Sequence, residues 1–315
     1  MSETKPLGSP ARAVLIRARD LENAKKFYTE GLGLSCAGET QAVSDGCRAL
    51  WGLSEGEIRL ARLTNPADAY GAIDLIEWSE GSEETIRDPQ RPFDYGWLSI
   101  NWRTSEMSRA LERLAAYGAK PVSTTKSYEA GGRLVHETMI DLPTSERCTL
   151  LQVGEERQTP HPFGEAAATI GVVVASVEKS LPFYRDLLGL RVALTINHTG
   201  EPFASLLGAP SETHLNMALL AGAGTWSGKL ELLEFTLPES FNPRGDANPR
   251  ADGRRNGYWM VSLSTPDCAA FAEAATKAGA VALRGPLAVE RPFIGQTQAM
   301  IVRAPGGELF EVYEE

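Results

Sequence analysis

Two stretches decide the fold, 20-DLENAKKFYTEGLGLSC-36 and 176-SVEKSLPFYRDLLGLRV-192. Each runs from an acidic–basic helix start through Phe-Tyr to Gly-Leu, a helix with a marked stop. Phe27 and Phe183 lie 183 − 27 = 156 residues apart, and Gly33 and Gly189 keep the same offset. So do Gly52 in LWGLSEGE and Gly208 in LLGAPSET. A constant offset over this length marks a duplicated unit of about half the chain. The polar stretch 154-GEERQTPHPFGEA-166 carries two prolines and reads as the linker. The expected domains are therefore 1–153 and 167–315, joined by 154–166.

Each half divides again. A short β-rich run (RAVLIRA, 12–18, and TIGVVVA, 169–175) precedes each helix, and strand runs such as AIDLIEW and KLELLEF follow it. The pattern restarts at WLSINWR and at YWMVSLS, giving four groups of one strand, one helix and about three strands. A single helix per group with neighbouring, antiparallel-looking strands predicts an α+β fold rather than a parallel α/β sheet.

Composition bounds the function. The chain has 315 residues, 43 % hydrophobic and 23 % charged, with a formal net charge of −10. That charge argues against nucleic acid as a partner, though not against an anionic small molecule, because pockets are local. Cys36, Cys47, Cys148 and Cys268 form no C-x-x-C pair, so neither a zinc site nor a disulfide framework is expected. The opening MSETKPLGSPAR has no apolar core of a signal peptide, and no apolar run approaches the ~18 residues of a membrane span. The expectation is a cytoplasmic protein that handles a small molecule, without a membrane partner; a homodimer is compatible with it. No phosphate-binding loop, dinucleotide fingerprint or nucleophile elbow is present.

The repeated DLENAKKFYTEGLGL and SVEKSLPFYRDLLGL, with LLGAPSETHLNMALL, KLELLEF and the terminal APGGELFEVYE, resemble the vicinal oxygen chelate superfamily. Glyoxalase I, bleomycin-resistance proteins and type I extradiol dioxygenases belong to it. The resemblance covers nearly the whole chain and is weaker in the first half. It implies four βαβββ modules in two tandem halves, each an open eight-stranded cup with chemistry inside. Counted from Phe-Tyr, it places the metal-ligand positions of the first half at Ala13, Asp74, Trp97 and Gln152. Those of the second half fall at Thr169, Glu231, Tyr258 and Glu311. The histidines of the pattern are absent while the second half keeps both carboxylates, so neither a metal nor another cofactor is expected. The first half then reads as structural.

Two carboxylates facing each other across a partly apolar cup separate in proton affinity, one serving as acid and the other as base. Glu231 and Glu311 are the expected pair, with the Tyr258 hydroxyl as donor to a developing oxyanion and His214 as a displaced base. Thr169, Trp259, Arg250 and Asn216 are the expected substrate contacts. Arg250 lies in a long Arg-rich connector, Asn242 to Asn256, that reads as a lid. Three functions remain open at this point. One is a metal-independent lyase or isomerase acting on a small aromatic or carbonyl compound. The others are a binding protein of the drug-resistance kind and a dioxygenase relative with rearranged ligands.

Overall fold

The computed structural model describes residues 6–53, 55–65, 68–87, 92–144, 146–158, 162–163, 169–241 and 250–315. The first module holds β1 (Ala13–Arg17), α1 (Leu21–Lys26), β2 (Ser35–Thr40), α2 (Asp45–Trp51), β3 (Ile58–Thr64) and β4 (Ala72–Trp78). The second holds β5 (Gly96–Arg103), α3 (Met107–Ala115), β6 (Lys120–Pro121), β7 (Lys126–Ala130), β8 (Arg133–Asp141) and β9 (Arg147–Val153). The third repeats the first 156 residues on. It comprises β10 (Thr169–Val173), α4 (Val177–Pro182), β11 (Arg191–Thr199), α5 (Phe203–Leu207), β12 (His214–Ala221) and β13 (Lys229–Thr236). The fourth comprises β14 (Gly257–Thr265), α6 (Cys268–Lys277), β15 (Val281–Arg291), β16 (Gly295–Arg303) and β17 (Leu309–Glu314).

The repeated motif does the same physical work twice. Asp20 and Ser176 cap α1 and α4, each side chain accepting from the backbone N–H three residues on. Both helices then widen into a single π-turn, Phe27–Gly31 and Phe183–Leu187. That turn sets each Phe-Tyr pair edge-to-face, at 5.3 and 5.2 Å, within the core. The short α2 and α5 both end on a left-handed glycine, Gly52 (φ 73°) and Gly208 (φ 68°), a conformation that a Cβ would strain.

The fold is α+β and built of βαβββ modules, as the repeat implies, but the modules pair differently from the expected tandem arrangement. One eight-stranded sheet runs β15-β16-β17-β14-β1-β4-β3-β2, and the other runs β11-β12-β13-β10-β5-β9-β8-β6, with β7 paired to β8. The first module therefore joins the fourth, through antiparallel β1 and β14, and the second joins the third, through β5 and β10. We call these the terminal cup and the central cup. Each half contributes to both, so 1–153 and 167–315 are not two self-contained cups. The physical reason is that every module's first strand offers a similar open edge. Local pattern fixes the module and leaves its partner to cross-sheet chemistry.

Three apolar clusters follow from this pairing. The largest takes outward-facing strand residues such as Val14, Ile100, Ile170 and Val261 together with the helices. A second fills the terminal cup around Trp51, Trp259 and Met260. A third lines the central cup around Leu98, Phe203, Met217 and Leu233. Among the described residues no helix is long and apolar enough to cross a membrane.

Candidate functional site

The cup floors are set by strand register. Ala13 and Thr169 each stand seven residues ahead of their helix caps, Asp20 and Ser176. The same spacing from the caps Asp267 and Glu106 falls on Met260 and Ser99. Register agrees: Leu15 lies opposite Met260, as Gly171 lies opposite Ser99. The expected positions Tyr258 and Trp97 are thus two residues off. On the last strands, Asp74 pairs with Leu15, Glu231 with Gly171, Glu311 with Ser262, and Thr149 with Asn101. The fourth position is therefore Thr149 and not Gln152.

The terminal cup holds Ala13, Met260, Asp74 and Glu311, and it is plugged. Arg291, only 1 % exposed, reaches in from β15 and donates to Asp74 at 2.8 Å and to Glu311 at 2.9 Å. Arg62 holds Asp74 with two bonds of 2.7 Å. The Trp51 indole and the Ser262 hydroxyl donate to Glu311 at 2.8 and 3.0 Å. Burial alone would raise the Asp74 pKa, but Arg62 and Arg291 pull it down to about 2. Glu311 is therefore a partner in a buried ion triad and does not face Glu231. The earlier carboxylate pair is broken because its two members belong to different sheets.

The central cup is open. Its cavity, about 50 Å³ in volume and open at the mouth, lies behind a wall mostly of Leu, Ile, Met and Phe. Its polar groups are Ser99, Tyr128, Glu137, Thr149 and Glu231. The Ser99 hydroxyl donates to the Asn101 carbonyl oxygen at 2.9 Å, and the Asn101 amide donates to Glu231 at 2.9 Å. The Tyr128 hydroxyl donates to Glu137. Burial pushes Glu137 up to about 8 against the pull of Tyr128, and the Glu231 charge adds to the rise. Burial also raises Glu231, offset by the Asn101 hydrogen bond.

Of the expected residues only Glu231 reaches this cavity. Tyr258 instead donates to the Arg147 carbonyl oxygen at 2.7 Å, and burial lifts its pKa well above the usual phenol value. Trp259 packs edge-on to Trp51, 6.1 Å away, inside the terminal cup. His214 and Asn216 lie on the outer face of β12: His214 meets the Thr199 hydroxyl at 2.8 Å and Asn216 donates to Glu234. The cup-facing residues of that strand are Leu215 and Met217, one register step away. Thr169 is buried at the start of β10 but does not line the cavity. Arg250 contributes its backbone carbonyl to a turn with Asp252 and does not line the central cavity. The rest of the expected lid, 242–249, lies outside the described residues, as does His161 in the linker.

Glu137, Tyr128, Asn101, Ser99 and Thr149 escaped the sequence reading. All five belong to the second module, which was read as structural. Alternation along RLVHETMID, with Val135 and Met139 apolar and in phase with Glu137, was the available signal.

Neither floor fits the metal that the fold family implies. The terminal floor sets a guanidinium between its two carboxylates, where a cation would sit, and its other two members are Ala13 and Met260. The central cup offers Glu231, a Glu137 held protonated by burial and bonded to Tyr128, and the neutral hydroxyls of Ser99 and Thr149, with no imidazole. Among the described residues no three His, Cys, Asp or Glu gather into a ligand cluster. The displaced His214 faces away from both.

Residues 166–312 match the model of the glyoxalase/bleomycin resistance protein/dioxygenase superfamily. Among solved structures, glyoxalase I from Zea mays superposes with a TM-score of 0.64 at 18 % identity, over 97 % of this chain and 92 % of that one. A putative dioxygenase from Bacillus subtilis gives 0.61 at 13 % identity, over 98 % and 86 %. At such identities the likeness concerns the fold. No curated protein matches the sequence. The match places residues 166–312 in the glyoxalase/bleomycin resistance protein/dioxygenase superfamily, and over the rest of the chain the likeness is one of fold.

Proposed function

We propose that the chain is a metal-independent acid–base enzyme of the lyase or isomerase kind, acting on a small, largely apolar molecule in the central cup. The observation that carries this is a pair of carboxyl groups, Glu137 and Glu231, in one apolar cavity, each with its proton affinity raised by burial. Two coupled carboxyls in such a wall do not ionise together. Glu231, which keeps an amide donor, ionises first and takes the proton. Glu137, held at about 8, stays protonated at neutral pH and gives one. Ser99 and Asn101 hold Glu231 in place, and Tyr128 holds Glu137. A carbonyl oxygen directed at Glu137 and an adjacent C–H at Glu231 would suit these roles.

The test is exchange of α-protons for deuterium in acetophenone and its 2-amino derivative, followed by NMR in D2O. Glu231→Gln and Glu137→Gln each keep shape and remove a titratable group. Either should slow exchange by roughly 10²–10⁴-fold, the usual worth of a positioned acid or base. Wild-type exchange no faster than buffer, or unchanged exchange in both variants, refutes the chemistry. The apolar wall favours a second reading, sequestration, which predicts binding of these ketones without exchange.

A further inference from the structure

The charge in the central cup is one-sided. Its lining includes Glu137 and Glu231 and no Lys, Arg or His. Glu231 Oε2 accepts from Asn101, and Glu137 Oε2 accepts from Tyr128. Oε1 of each takes no hydrogen bond among the described residues. The Thr149 side chain, 2 % exposed and in the same wall, also has no hydrogen-bond partner among them. The terminal cup shows what the fold does elsewhere with two buried carboxylates: it answers them with Arg291 and Arg62. In the central cup that answer is missing from the lining, and an ionised carboxylate facing an apolar wall without a cation is costly.

We propose that the ligand of the central cup is a small organic ammonium ion, its apolar body against the Leu/Met/Phe wall and its nitrogen between Glu137, Glu231 and Thr149. This deepens the proposed site and rests on that reading for the cavity and the carboxyl pair, but not for the proton transfer. Three open acceptors, the two Oε1 atoms and the Thr149 oxygen, match the three N–H donors of a primary ammonium. Each contact to a carboxylate is charge-assisted. An anion of the same shape would set a second negative charge beside Glu231 where no positive group lines the wall, so carboxylates and phosphates are excluded. The titratable groups facing the nitrogen are Glu137, Glu231 and Tyr128. Of these, Glu137 is still protonated at pH 7 and loses its proton when the cation arrives.

Isothermal titration with 2-phenylethylamine, 2-phenylethanol and 3-phenylpropionate at pH 7 decides the matter. The ammonium ion should bind at least tenfold tighter than the alcohol, and the carboxylate should not bind. Binding of the ammonium should release a proton, seen as heats that differ between buffers of different ionisation enthalpy. Glu137→Gln and Glu231→Gln should each lose the preference for the ammonium while still binding the alcohol, which also reports that they fold. Equal affinity for the three probes, binding of the carboxylate, no binding of the ammonium, or a preference unchanged in both variants overturns the proposal. A protein that prefers the ammonium but exchanges no α-protons keeps this ligand class and loses the acid–base chemistry, so the two failures are distinguishable.

Discussion

Replacing Arg291 with methionine should destabilise the protein severely and leave the central cup untouched. The guanidinium serves two carboxylates that are fully buried. Without it Asp74 keeps Arg62, but Glu311 keeps only the Trp51 and Ser262 donors. Breaking a buried ion pair from one side costs about 3–5 kcal/mol, because a charge is left behind. That is a large share of the 5–15 kcal/mol typical of a folded domain. With a slope of a few kcal/mol per molar for a chain of this size, the urea midpoint should fall by roughly 1 M. Removing all three charges, in Asp74→Leu/Arg291→Met/Glu311→Leu, should recover most of the loss.

The acid limb supplies a second readout. Asp74 has a folded pKa of about 2 against 3.8 unfolded. It therefore contributes about 2 kcal/mol above pH ~4, lost as pH falls through 2. Arg291→Met loses part of that contribution, so the gap between wild type and variant should narrow from pH 4 to pH 2. A variant as stable as wild type, or a variant that loses 2-phenylethylamine binding while folded, would refute the division between a plugged and an open cup.

Three further outcomes follow from the same geometry. A Cβ on Gly171 would meet the Ser99 hydroxyl at 2.9 Å and Glu231 Oε2 at 3.7 Å. Gly171→Ala should therefore cost ligand affinity or exchange rate tenfold or more while shifting the urea midpoint little, and an unchanged site would show that Ser99 has room to give. Burial holds Glu137 and Glu146 at about 8 in the folded protein. Their contribution is full below the unfolded value of ~4.5 and fades as pH rises to 8. Urea midpoints should fall through that window and flatten in Glu146→Gln, whereas an equally steep fall in that variant would exclude Glu146 as a source. Tyr128→Phe removes a donor that favours ionised Glu137, so the alkaline limb of the exchange–pH profile should move to higher pH; a move to lower pH would contradict the assigned hydrogen bond.

The modules were legible because their signals are local. The 156-residue offset, the capped helices and the glycine stops each depend on a few neighbouring residues, and the structure repeats them element for element. Glu231 was legible because it is tied by spacing to the Phe-Tyr motif of its own module. Glu137 was not, because the second module lacks that motif and its β7–β8 hairpin departs from the pattern of the others. His214 and Asn216 were placed on the cup by alternation, and the structure turns them outward by a single step of register. Alternation alone leaves open which of the two faces of β12 turns inward. The choice is fixed by the apolar pair Leu215 and Met217, which the cavity needs more.

The interleaved pairing explains why the open cavity lies between the second and third modules. A tandem pairing would have set Glu231 with Glu311 in one cup and Asp74 in the other, so that Asp74 and Glu311 lay in different sheets. Joining the first module to the fourth brings both into one sheet, where Arg291 from β15 neutralises them together. The terminal cup is thereby spent on closing the chain ends into a single sheet. The central cup receives Glu231 with Asn101 and Ser99 from across β5, and Glu137 from β8, without an arginine in its lining. Burial raises the proton affinity of that pair, and one donor each, Asn101 for Glu231 and Tyr128 for Glu137, offsets it only in part.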